Sequence, residues 1–87
     1  MESKFTLIDG EFSIKEAREV IENLLDFKIQ FHGKKSFGSE IRTGSKDERS
    51  LLRKESLKKT KVEFLAYLEG IPDTDVIQLY SEIQITK

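Results

Sequence analysis

The chain has 87 residues, 37% hydrophobic and 36% charged, which predicts one soluble domain over 1–87, because a chain this short buries only about 60–65% of its unfolded surface and does not fill two cores. The sequence contains no cysteine, which excludes a disulfide framework, a thiolate zinc site, an iron–sulfur cluster and a cysteine nucleophile. The longest apolar run, Phe64 to Leu68, is five residues against the roughly 20 of a membrane span, and Met1-Glu2-Ser3-Lys4 opens no signal peptide, so a cytoplasmic location without membrane partners is expected.

The net charge of −1 conceals three blocks. Residues 1–27 carry three cations against seven carboxylates, residues 28–61 carry eleven cations against four, and residues 62–87 carry one against five, giving −4, +7 and −4. Whether this makes two poles depends on how the chain folds back.

Lys4-Phe5-Thr6-Leu7-Ile8 reads as a short first strand ended by a turn at Asp9-Gly10. Ser13-Ile14-Lys15-Glu16 is a capping-box pattern that starts a helix. Behind it Ala17, Val20, Ile21, Leu24, Phe27 and Phe31 recur at three- and four-residue spacing as a core stripe, with Glu16, Glu19, Glu22 and Asp26 turned to water. The segment 27–32 also alternates like a strand, but no turn residue separates it from the stripe, so helix is favoured. The stretch 33–45 holds three of the five glycines and three serines and reads as a connection.

Ser45-Lys46-Asp47-Glu48 repeats the capping pattern and begins a second helix over 46–69, in which 53–61 offers only Leu57 as an apolar residue. Gly70 at a left-handed C′ position, Ile71 folding back, and Pro72 end it. From Asp75 the period is two, with Ile77, Leu79, Ser81, Ile83 and Ile85 on one face and Gln78, Tyr80, Glu82, Gln84 and Thr86 on the other. This final strand is about twice as long as the first can pair, which leaves part of it needing another partner.

The order is β-α-α-β, an α+β two-layer unit with an antiparallel helical hairpin on a small antiparallel sheet. With Gly10-Glu11-Phe12-Ser13-Ile14-Lys15-Glu16-Ala17 at the front and Ser81-Glu82-Ile83-Gln84-Ile85 at the back, the layout resembles short uncharacterised bacterial proteins of this β-α-α-β order. The resemblance covers the two ends and the helix-loop-helix order, and it implies no activity.

Chemistry-bearing motifs are weak. Gly33-Lys34-Lys35-Ser36-Phe37-Gly38 has the glycine spacing of a phosphate loop, but Ser39-Glu40 follows where Lys-Ser/Thr is required. His32 is the only histidine, so no triad or metal site has a second imidazole to use, and a structural role or an anion grip with Lys34 and Lys35 remain as alternatives. Glu16, Glu19, Glu22 and Asp26 are carboxylates near a helix start, where the dipole favours them without any catalytic or metal role. No catalytic residue, cofactor or metal is expected, and the chain reads as a non-enzyme.

Two functional readings follow. In the first the protein is a protein–protein interaction module, homodimeric through its C-terminal strand, with Ile83 and Ile85 at the interface or in the core and Val76 and Tyr80 on the outer face. In the alternative the basic half of the hairpin, with Lys34, Lys35, Arg42, Arg53, Lys58, Lys59 and Lys61, contacts nucleic acid, an anion or an acidic protein; an overall pI near 5.9 argues against a dedicated nucleic-acid binder.

Overall fold

The computed structural model describes residues 1–45 and 47–87 and contains β1 (Glu2–Ser13), α1 (Ile14–Thr43), α2 (Glu48–Glu69) and β2 (Val76–Thr86). Lys46, counted above in the second capping pattern and in the basic block, lies outside the described residues. The two strands form one antiparallel sheet, so the α+β fold and the helical hairpin are as the sequence implies.

The strand–helix junction is built by Ser13. Its Oγ accepts from the Glu16 N–H at 3.1 Å while its own N–H donates to Glu16 Oε1 at 3.0 Å, completing the expected capping box. Both bonds favour the charged carboxylate and hold the Glu16 pKa below its usual value.

Five expectations are corrected. β1 does not turn at Asp9-Gly10: it runs to Ser13, with Asp9 across from Tyr80 and Gly10 across from Leu79, because a cross-strand ladder outweighs the local turn preference. β2 is therefore paired along its whole length and has no unpaired overhang.

The stretch 33–45 is no connection either; α1 continues through Gly33 and Gly38 to Thr43 and stops at Gly44, whose φ of 77° is the left-handed cap and whose N–H donates to the Glu40 carbonyl at 2.9 Å. Two glycines cost a helix about 1 kcal/mol each, and packing against α2 offsets this: Ser36 is buried in the seam and the Lys54 side chain lies across Gly33.

The second cap is Asp47, two residues after the expected Ser45; its Oδ1 accepts from the Ser50 N–H at 3.1 Å, and that bond lowers its pKa. At the other end of α2, Gly70 is right-handed (φ −80°) and not left-handed as the sequence suggests.

The hairpin register places Lys61 of α2 against Asp26 of α1 and Lys54 across Gly33. The buried and half-buried positions of α2 are Ser50, Leu51, Lys54, Leu57, Lys61, Phe64, Leu65 and Leu68, which recur at the four- and three-residue spacing of a helix seam, with Leu51 and Leu65 widening it at either end. Leu57, the lone apolar residue of its stretch, is buried there.

The sheet meets α1 alone, since no Cα of α2 comes within 8 Å of a strand Cα. Strands, α1 and α2 thus lie in a row, and the Cα trace measures 50 × 34 × 14 Å, its shortest dimension little more than one helix diameter of about 10–12 Å.

Candidate functional site

The inner face of the sheet is set by a β-bulge. Register shifts between Thr6 and Ile8, so odd residues before the bulge (Ser3, Phe5) and even residues after it (Ile8, Gly10, Phe12) share the face of Ile85, Ile83, Ser81, Leu79 and Ile77. Near α1 this face is covered in part, with Ile8 9% exposed and Gly10, Phe12, Ile77, Leu79 and Ser81 half-buried. Away from α1 it is open: Phe5, paired with Ile83, is 54% exposed, and Ile83 and Ile85 are 45% and 52% exposed.

α1 has a matching uncovered stripe. Ala17, Leu25 and Ser36 are buried, but Val20, Leu24, Phe27 and Phe31, expected above as core, are all exposed. At about 100° per residue this stripe lies roughly half a turn from the seam residues Leu25, Asp26, Gly33 and Ser36 and points toward the sheet side. Leu7 and Ile8 of β1 and Val20, Asn23, Leu24 and Phe27 of α1 line an apolar groove of about 370 Å³. Beyond Phe27 the helix leaves Phe31 to solvent and the far sheet leaves Phe5, Ile83 and Ile85, so neither covers the other.

The accessible surface is 6858 Å², whereas a monomer of 10.1 kDa is expected to expose about 5,300 Å². The Cα radius of gyration is 16.0 Å against about 12 Å for a compact chain of this length. Among the described residues, only Ile8, Ile14, Ala17, Leu25, Leu57 and Leu68 form the buried apolar core.

The outer face of the sheet is polar. Tyr80 OH donates to Glu82 Oε2 at 2.9 Å, which raises the Tyr80 pKa, and Gln78 Nε2 donates to Asp9 Oδ1 at 3.4 Å. Val76 and Tyr80 lie on this face and Ile83 and Ile85 on the inner one, so the four residues named as a dimer interface do not form one patch.

The seven cations named for anion or partner contact are also divided. Lys61 is tied to Asp26 at 2.6 Å and to Glu22 at 3.8 Å, contacts that raise its pKa, and Lys58 pairs with Glu55 at 3.7 Å. Lys34 borders Phe31, and Arg42 lies in the last turn of α1. Lys59 is exposed on α2. Lys35 and Arg53 do converge, in a recess with His32, Asp47, Arg49 and Ser50. His32 is held below its usual pKa, first by desolvation and then by Lys28, Arg53 and Lys35.

No family model, curated protein or solved structure matches this chain. Sequence reasoning missed Phe5 and the α1 stripe as exposed residues because the bulge that re-phases β1 has no turn signature, and because one helix stripe was enough to account for a core. A second stripe was legible: Leu25, Ile29 and His32 recur at helical spacing beside Val20, Leu24, Phe27 and Phe31.

Proposed function

We propose that the protein is a non-enzymatic interaction module that works as a homodimer, with two copies joined along β2. The observation that carries this reading is the surplus of about 1,600 Å² of accessible surface per chain, together with an apolar sheet face and helix stripe that the fold leaves uncovered. Two such surpluses amount to about 3,000 Å², within the range of obligate homodimer interfaces and well above a transient contact.

β2 has β1 on one edge only. Isologous antiparallel pairing of the other edge, centred near Ser81, gives a four-stranded sheet whose inner faces are on the same side. Ile83 then lies across from Leu79 of the second copy, and Ile85 across from Ile77 of the second copy. The helices that cover the near half of each sheet flank the far half of the other, so Phe5, Ile83 and Ile85 are closed off by α1 of the second copy. The polar outer face stays in water, which assigns Val76 and Tyr80 no part in the apolar contact.

Ser81→Cys tests this arrangement in a chain that has no other cysteine. At the two-fold axis the residue faces itself at a Cα separation of about 4.5–5.5 Å, which suits a disulfide. Mild oxidation is expected to give a covalent dimer, while Asp9→Cys on β1 gives none. Equal cross-linking at both positions, or none at Ser81, contradicts pairing through β2.

A further inference from the structure

The recess between the far half of α1 and the first turn of α2 differs from the rest of the basic surface. It has a volume of about 340 Å³ and brings together Lys35 of α1 and Arg49 and Arg53 of α2. Among the described residues none of these three cations forms an ion pair within 4.0 Å, as is also true of Lys28, Lys34, Arg42, Lys54 and Lys59, so what sets the recess apart is their convergence on one cavity. The one carboxylate in the recess, Asp47, is engaged by Ser50, whose N–H donates to Oδ1 at 3.1 Å and whose Oγ donates to Oδ2 at 3.3 Å. His32 forms part of the wall, and its buried Nδ1 finds no hydrogen-bond partner among the described residues. Three unmatched cations and the edge of the His32 ring around one concavity are an environment that suits an anion.

We infer that this recess binds a terminal phosphate group, with Arg49, Arg53 and Lys35 holding its oxygens and the His32 imidazole donating a further hydrogen bond. A dianion is favoured over the backbone of a nucleic acid. A polynucleotide needs cations aligned along a track to meet successive monoanionic diesters, while Lys35, Arg49 and Arg53 are gathered around one cavity that Lys34, Arg42 and Lys59 do not line. Protonation of His32 adds a second donor and a charge to the site, while the phosphate itself loses a charge below its second pKa of about 6, so binding is expected to pass through a maximum and not to rise steadily with acid. The groups that face it are Lys28 and Lys35 on its own helix and Arg49, Arg53 and Asp47 on α2; the cations oppose its protonation in the free protein, and a bound phosphate reverses that field. The site shares no residue with the proposed dimer face, so either stands without the other.

His32, the only histidine, is its own probe in NMR. The wild-type chain is titrated with inorganic phosphate, with a nucleoside monophosphate and with a short single-stranded DNA, at matched chloride concentration. Inorganic phosphate and the monophosphate are expected to shift the His32 ring signals to saturation and to raise its pKa by about one unit or more. Arg53→Gln, an exposed and conservative change, is expected to weaken this by about tenfold or more while the helical circular dichroism is unchanged. Loss of the monophosphate response with retention of the inorganic one restricts the site to free phosphate, still in accord with the inference. No saturable shift up to about 10 mM, tenfold above a Kd of roughly 1 mM, overturns it, as does a response only to DNA or one that Arg53→Gln leaves intact.

Discussion

On one face of one sheet, Ile8 is 9% exposed and Phe5, just across the bulge, is 54% exposed. Both halves of that face are apolar and both are fully paired across the strands, so neither alternation nor hydrogen bonding separates them. What separates them is the length over which α1 stays beside the sheet. The near half has a helix against it and behaves as core; the far half has the pattern of a core without the second layer. A period-two pattern therefore specifies which residues share a face, and the covering element must come from elsewhere; the proposal assigns it to a second chain.

The largest expected effect breaks the far half. Ile83→Lys puts a charge into the proposed dimer contact twice, once from each copy, and is expected to weaken association by at least about 100-fold, or about 3 kcal/mol. Sedimentation or light scattering reads it, and Tyr80→Lys on the outer face is the matched change expected to leave the mass unaltered. Ile8→Ala acts on the near half instead: it is expected to lower folding stability by about 2–4 kcal/mol in urea unfolding without changing the oligomeric state of the folded protein at high concentration.

A smaller effect concerns the far half of α1. Gly33→Ala and Gly38→Ala are each expected to stabilise the protein by roughly 0.5–1 kcal/mol, since an added Cβ meets only the flexible ends of Lys54 at 3.6 Å and Arg42 at 3.7 Å. If 33–45 were a loop, neither change would raise the helical signal.

The smallest effect is in pH. Glu16 and Asp47 have folded-state pKa values below their unfolded ones, so their contribution is complete above about pH 5 and is lost as pH falls through the folded values. His32 adds in the same direction at higher pH: its lowered pKa means the unfolded chain takes up the proton first, so stability declines from about pH 7 downward. Melting temperatures measured between pH 4 and 8, conditions set around these groups' usual ranges of about 4 and 6.5, are expected to fall steadily with acid, and Asp47→Asn to flatten the lower part of the curve.

Much of this architecture was written locally. The Ser13–Glu16 box, the helical continuation through Phe27 and Phe31, and the alternation from Val76 onward are each decided by residues within a few positions of one another. What local pattern did not disclose depends on partners distant in sequence. The persistence of β1 through Gly10 depends on Leu79, and the persistence of α1 through Gly33 and Gly38 depends on α2. The candidate sites divide the same way. Lysine density marked the tip of the hairpin, but only the helix register tells that Lys61 is spent on Asp26 while Lys35 and Arg53 face a shared recess.

The central claim is that this thin, open fold is half of a symmetric unit. Molar mass by light scattering across a dilution series addresses it most directly: the account predicts a species of about 20 kDa, twice the 10.1 kDa chain, persisting to low micromolar protein and shifting to the single-chain mass on Ile83→Lys. A wild-type mass of one chain at the highest concentration reached, with the protein folded, contradicts it.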